Sequence, residues 1–117
     1  MSFESDQIAE LKTLYPDIGA LNEGGLALIQ IANMTLPSGC SPITVDALLW
    51  PYPLNGYSSR LFLSKKITHQ GPGTNWNHDG GIIANRQWWA VSWQTNKTGL
   101  RLLGMVTAHL QAFTCKK

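Results

Sequence analysis

The chain has few charged residues. Only 14% of its 117 residues are Asp, Glu, Lys or Arg, against about 25% in average soluble proteins. The net charge is +2, and the longest internal basic run is Lys65-Lys66. Binding nucleic-acid phosphates needs a larger basic patch, so we expect no nucleic-acid partner. A surface this poor in charge favours a protein that works docked to other proteins, and a neutral surface rich in Asn, Thr, Gln and Ser is the alternative interpretation.

Long apolar runs are also missing. No run approaches the about 20 residues that a membrane-spanning helix needs. The N-terminal sequence MSFESDQIAEL is acidic and polar, the opposite of a signal peptide's basic and then apolar layout. We therefore expect no membrane partner and a cytoplasmic location. In that compartment the two cysteines, Cys40 and Cys115, are expected to stay reduced.

Length and apolar spacing predict one α+β domain over residues 1–117. Apolar residues at helical spacing predict a helix over residues 6–14 with Ser5 as its N-cap. Alternating apolar residues predict strands over residues 26–34, 43–50 and 60–66. The predicted architecture is an antiparallel meander of three to four strands, flanked by N- and C-terminal helices.

The second half of the chain has a weaker pattern. Residues 68–85 are rich in Gly, Asn and Pro and predict a long loop, and Trp76 favours an ordered rather than a disordered one. Residues 86–93, RQWWAVSW, have an ambiguous period that fits either a short strand or one turn of helix, and a short helical or irregular segment is the favoured prediction. Thr98 is predicted to cap a final helix over residues 99–113. Its apolar stripe would consist of Leu100, Leu103, Val106, Leu110 and Phe113.

The segment between residues 48 and 70 carries a family resemblance. An apolar strand ends in Trp50, Pro51-Tyr52-Pro53 breaks it, Asn55-Gly56-Tyr57 forms a turn, and a further strand leads to His69. This order resembles the ubiquitin-conjugating (E2) superfamily, in which a Tyr-Pro-containing crossing leads into a strand and a His-bearing segment before the active site. Shorter motifs are similar to its bacterial branch, the E2-like family E: Leu36-Pro37-Ser38-Gly39, Asp46-Ala47-Leu48-Leu49, Gln87-Trp88-Trp89-Ala90-Val91-Ser92 and Gly99-Leu100.

The resemblance covers roughly residues 6–113 and implies a UBC-like fold. It also implies a place in a bacterial ubiquitin-like conjugation system, with a ubiquitin-like modifier and an E1-like adenylating enzyme as partners. One departure lies at Ser92-Trp93-Gln94, where family members tend to carry Ser-Arg-His. The role of that histidine therefore does not carry over to this chain.

The usual thioester nucleophile of an E2 is missing. In the family a His-Pro-Asn triplet precedes the cysteine, whereas here the run reads His69-Gln70-Gly71, and no cysteine lies between Cys40 and Cys115. The resemblance thus implies a member that acts by binding the modifier or its E1-like enzyme. An enzyme activity is the less favoured interpretation. A thioester could form only on Cys40 or on Cys115, whose thiol pKa the neighbouring Lys116-Lys117 would lower.

Tryptophans are concentrated in the second half, and four of them are candidate binding residues. They form either an aromatic surface for a peptide tail or a partner domain, or a satellite core whose indole N–H groups bind loop carbonyls. The first interpretation supports an alternative function, a peptide- or small-ligand-binding module unrelated to conjugation. Since adjacent Trp88 and Trp89 do not both fit inwards, one of them is expected at the surface. The four candidates are Trp76, Trp88, Trp89 and Trp93.

Two histidines, His69 and His78, complete the candidate binding residues. Together with Asp79 they invite a metal interpretation, but zinc ligands come in closely spaced pairs that this segment lacks. The sequence therefore predicts hydrogen-bonded loop histidines and no metal or other cofactor. A hydrolytic grouping of His78 and Asp79 with Ser92 lacks the nucleophile-elbow motif that would frame the serine.

Overall fold

The computed structural model describes residues 3–95 and 99–114, which form one six-stranded antiparallel sheet and two α-helices. The helices are α1 (Ser5–Leu14) and α2 (Leu102–Leu110), and α2 continues into a 3₁₀ turn, Gln111–Phe113. The strands are β1 (Ile18–Glu23), β2 (Leu26–Thr35), β3 (Thr44–Trp50), β4 (Arg60–Leu63), β5 (His78–Ile83) and β6 (Arg86–Ala90). Their order across the sheet is β1-β2-β3-β4-β6-β5.

Alternation along the central strands gives the sheet two apolar faces. On β4, Leu61 and Leu63 belong to the core beneath the helices, and Phe62 belongs to the core on the opposite face, as the alternation predicts. Across the ladder Phe62 lies opposite Leu48, and Leu63 lies opposite Ala47. The central strands are therefore buried on both sides.

The helix side of the sheet holds the larger core. Leu11 of α1 and Val106 of α2 are fully buried there. The side chain of Gln7 accepts a hydrogen bond from the backbone N–H of Leu102 at 3.0 Å, which satisfies one of the free donors at the start of α2. Arg101, just before α2, also binds the carboxylates of Asp6 and Glu10 in α1. These contacts fix the two helices to each other.

The second face of the sheet closes on itself. Its core contains Leu28, Phe62 and Trp88, all nearly inaccessible to solvent. Glu23, at the end of β1, accepts a hydrogen bond from the backbone N–H of Ala84 at 3.1 Å. Because β1 lies at one edge of the sheet and Ala84 lies beside the other edge strand, this contact requires the sheet to curl. The curl shields the second core without a helix.

The α+β class and the antiparallel sheet are confirmed, but the predicted count of three to four strands is wrong. The strand β1 lies between the predicted first helix and the first predicted strand, where no element was predicted, and it pairs with β2 through the turn at Gly24-Gly25. The hairpin of β5 and β6 occupies much of the predicted loop and of the predicted helical or irregular segment. Glycines at Gly19, Gly80 and Gly81 dilute the apolar alternation of both edge strands, which explains why they were missed.

Details of the two helices also differ from the prediction. Glu4, not Ser5, is the N-cap of α1, and no side chain caps it. The last helix begins at Leu102 rather than at residue 99, and Thr98 lies outside the described residues. The buried positions of α2 are Leu102, Val106 and His109, a stripe shifted from the predicted one. Within the described part of the chain, no helix is long and apolar enough to cross a membrane.

Candidate functional site

The segment after β4 contains an ordered loop, residues 68–77, which we call the His69 loop. Two backbone hydrogen bonds of 2.9 Å between Thr68 and Ser41 hold the start of the loop in place. Gly71 and Gly73 pack directly on the 3₁₀ turn after α2: a Cβ at Gly71 would lie 2.5 Å from the carbonyl oxygen of Ala112, and the N–H of Gly73 donates to that oxygen at 2.8 Å. The prediction of an ordered loop is confirmed, and the loop is shorter than predicted.

His69 lies at the centre of this loop. Its Nδ1 accepts a hydrogen bond from the backbone N–H of Gly71 at 3.0 Å. Its ring packs edge-on against Phe113 with the centroids 4.8 Å apart, and Trp76 stacks on the same phenyl ring at 6.1 Å. Burial lowers the pKa of His69, so the neutral ring is favoured. The structure thus brings His69 and Trp76 together around Phe113, a residue that the sequence analysis assigned only to the helix stripe.

The thiol of Cys40 lies beside the same cluster. Its Sγ is 3.8 Å from the carbonyl oxygen of Phe113, and the residue is buried, with only 7% of its surface exposed. Burial raises the pKa of the Cys40 thiol, which disfavours the nucleophilic thiolate. Cys115 lies outside the described residues.

A polar network around Arg60 joins the His69 loop to two other segments. The guanidinium of Arg60, only 5% exposed, donates to Asn77 Oδ1 at 2.8 Å and to the carbonyl oxygen of Val91 at 3.3 Å. It also lies 4.3 Å above the ring of Tyr57, whose hydroxyl shares a 2.7 Å hydrogen bond with Ser92. No ion pair in the described part of the chain includes Arg60. Its buried charge is therefore held by carbonyl oxygens and an aromatic face.

A buried Ser–His pair lies next to this network. Ser59 Oγ and His109 Nε2 are 2.8 Å apart, and both residues are at most 5% exposed. Burial, and then the charge of Arg60, lowers the pKa of His109 to about 4. A base this weak, beside a serine that solvent hardly reaches, does not fit acyl transfer. The residues are fifty positions apart with no motif around either, so sequence reasoning had no signal for the pair.

The remaining candidate tryptophans lie on β6 and just after it, and the backbone of Ser92, beside Trp93, is bonded to Asn75 of the His69 loop at 2.7 Å. Trp88 is fully buried in the second core, with its indole N–H donating to the carbonyl oxygen of Ile83 at 3.1 Å. Trp89, half-buried, donates to Asp79 Oδ1 at 2.8 Å, and Trp93 donates to the carbonyl oxygen of Ala108 at 3.1 Å. In residues 3–95 and 99–114, no aromatic ring contact links any two of the four candidate tryptophans.

The second candidate histidine, His78, also lies elsewhere. Its Nε2 is within hydrogen-bonding distance, 3.2 Å, of the carbonyl oxygen of Gly81, and its ring packs edge-on against Phe62 at 4.9 Å. Among the described residues, no group of three or more His, Cys, Asp or Glu side chains is placed to bind a metal ion.

Comparison with protein-family models, with curated proteins and with solved structures finds no match to this chain. A functional assignment therefore depends on the order of the elements and on the geometry of the His69 loop.

Proposed function

We propose that this chain is a non-catalytic E2-like protein of a bacterial ubiquitin-like conjugation system, which binds the ubiquitin-like modifier or its E1-like adenylating enzyme. The order of the elements supports the proposal. A helix precedes a meander in which β1, β2, β3 and β4 are consecutive neighbours, and the Pro51-Tyr52-Pro53 crossing leads through β4 to a His-bearing loop. That is the order that the resemblance implies.

The single observation that carries the non-catalytic part is the construction of the His69 loop. Where an E2 needs a thiolate and a loop that can admit an activated carbonyl, this loop has no cysteine. Its backbone is packed against Ala112 with no room for a Cβ at Gly71, and the Nδ1 of His69 is already occupied. The nearby thiol of Cys40 is buried and its pKa is raised. The loop therefore suits a docking surface better than a reaction centre.

The surface that the loop offers is uncharged. Residues 68–77, THQGPGTNWN, contain no Asp, Glu, Lys or Arg, and the exposed Thr74 and Asn75 flank the half-buried Trp76. Tryptophan at the centre of a small polar patch is typical of interface hot spots. The alternative function, a module that grips a ligand with clustered tryptophans, would need the four indoles on one surface, and the indole of Trp88 is buried in the second core.

Calorimetric titration with a bacterial ubiquitin-like modifier and with an E1-like adenylating enzyme tests the proposal. Removing the indole in Trp76→Ser should weaken binding of one partner by about tenfold or more. Trp89→Ser is the matched control, because Trp89 is also a half-buried tryptophan but contacts Asp79 instead. Its affinity should stay within about twofold of the parent chain.

A second variant keeps the test independent of folding. Thr74 is exposed, so Thr74→Arg adds bulk and charge to the loop without disturbing the packing on Phe113. Thr74→Arg should weaken binding of the same partner whose binding Trp76→Ser weakens. Binding of neither partner to the parent chain, or equal losses in Trp76→Ser and Trp89→Ser, would overturn the proposal.

A further inference from the structure

The outer edge of β1 presents unpaired backbone groups. The backbone N–H of Ala32 donates to the carbonyl oxygen of Asp17 at 2.9 Å, which fixes the phase of the antiparallel ladder. Since hydrogen-bonded and non-hydrogen-bonded pairs alternate, the N–H and C=O groups of Ile18, Ala20 and Asn22 point away from β2. No other strand in the described part of the chain pairs with this edge. The register with β2 is uninterrupted over all six residues of β1.

The opposite edge of the sheet, formed by β5, is built differently. Its register shifts between Asp79 and Gly81, and Gly80 between them has a φ of 82°. The side chain of Gln87 donates to the carbonyl oxygen of Gly80 at 3.2 Å. Bulges of this kind prevent an edge from templating another strand. The edge of β1 has no bulge, no proline and no lysine, so it lacks these protections.

Grooves run along both sides of β1. On the helix side, a groove of about 210 Å³ lies between α1 and β1. Its lining is mostly apolar and includes Phe3, Ile8 and Ile18, and Lys12 is the one charged residue among the described residues that line it. On the other side, a groove of about 390 Å³ passes Gly19 and Gln30. A Cβ at Gly19 would meet no atom within 4 Å. An added strand would project successive side chains alternately into the two grooves.

We infer that β1 is a strand-addition site for an extended segment of a partner protein, with an aliphatic side chain in the helix-side groove and a carboxylate beside Lys12. Backbone groups at an open edge select an extended chain, and flanking grooves select its alternate side chains. This inference does not depend on the proposed function, since the His69 loop is in another part of the molecule.

Charge identifies the occupant further. Lys12 takes part in no ion pair among the described residues, so its ammonium group is available to a carboxylate of a bound segment. A second copy of this chain fits less well. Antiparallel self-pairing of the outward groups about Ala20 would place Asp17 of one copy opposite Glu23 of the other, and like charges directly opposite are unfavourable.

Panning a phage-displayed heptapeptide library against the full chain tests the inference, followed by affinity measurement on synthetic peptides by fluorescence anisotropy. We expect enriched peptides with alternating aliphatic residues and an acidic residue. Lys12→Glu should weaken them about tenfold. In hydrogen exchange, the peptide should protect the amides of Ile18, Ala20 and Asn22 in the parent chain, a readout that needs no variant.

A proline at each edge gives a matched pair of variants. Ala20→Pro removes an outward N–H without removing a bond to β2, and should weaken the peptides at least tenfold. Ile82→Pro makes the same change on β5. Ile83 and Arg86 close the two-residue turn and form a hydrogen-bonded pair, so the backbone N–H of the preceding residue, Ile82, points away from β6. This variant should bind as the parent chain does.

Three results would overturn the inference. The first is the absence of any peptide enriched over an uncoated control. The second is a peptide that does not protect the β1 amides and whose binding either survives Ala20→Pro or is lost to the same extent in Ile82→Pro. The third is a concentration-dependent dimer that Ala20→Pro abolishes, which would assign the edge to a second copy of the chain.

Discussion

At the scale of single residues, the most consequential groups are polar side chains buried near the start of β4. Arg60 and His109 are both 5% exposed, and the first is charged while the second is held neutral. The histidine shares its hydrogen bond with Ser59, and the arginine binds Asn77 and a carbonyl oxygen. Removing one partner from such a network leaves a buried polar group unsatisfied, which costs about 1–3 kcal/mol. Sequence reasoning could find His69 and Trp76, which lie in one loop, but not these pairs, which form only when distant segments meet.

His109 makes the stability of the fold depend on pH. The pKa of about 4 in the fold is below the usual value near 6.5, so the neutral ring is favoured in the folded state. The contribution of His109 to the free energy of unfolding is complete above about pH 6.5 and is lost as the pH falls towards 4. The loss amounts to about 3 kcal/mol. Urea unfolding measures the free energy of unfolding near pH 7 and near pH 4. Between these two pH values the parent chain should lose about that much more stability than His109→Gln. Titration of His69 and of the carboxylates is common to both proteins and cancels, so equal losses would contradict the assignment.

At the scale of elements, the strands with clean alternation were predicted, the edge strands β1 and β5 were not, and β6 was only the alternative interpretation of residues 86–93. Residues of β2, β3 and β4 alternate between two cores, so their period is visible. The hairpin of β5 and β6 turns at Ala84-Asn85, both with positive φ, without the glycine that usually marks such a turn. Trp88 and Trp89 have opposite surroundings because β6 is a strand, and Trp89 is the one that is only half-buried, as predicted for one of the pair.

The seat of the His69 loop gives an element-scale prediction. A Cβ at Gly71 would lie 2.5 Å from backbone atoms of Ala112 and Phe113, which cannot move aside as a flexible side chain could. Gly71→Ala should therefore destabilise the fold by about 2 kcal/mol or more. Gly19→Ala is the control, since its Cβ would meet open space, and its effect should stay within about 0.5 kcal/mol. Thermal unfolding of the two variants checks this, and equal midpoints would show that the loop does not pack as described.

At the scale of the whole molecule, one curled sheet separates a helix-covered core from a second core that the sheet encloses itself. The curl follows from contacts such as that between Glu23 and Ala84, which no local pattern could predict. The His69 loop lies against the end of the last helix, whereas the open edge of β1 borders the first helix. The two proposed binding surfaces are therefore on separate parts of the fold and can be tested one at a time.

We propose that the chain binds a ubiquitin-like modifier or its E1-like enzyme without accepting the modifier on a thiol. Incubation with the E1-like enzyme, ATP and the modifier, followed by intact mass measurement under native and denaturing non-reducing conditions, tests it most directly. We expect a complex in the native spectrum and only the unmodified chain after denaturation, with the same result for Cys40→Ser and Cys115→Ser. A reductant-sensitive adduct that either substitution abolishes would contradict the account and make the chain an enzyme.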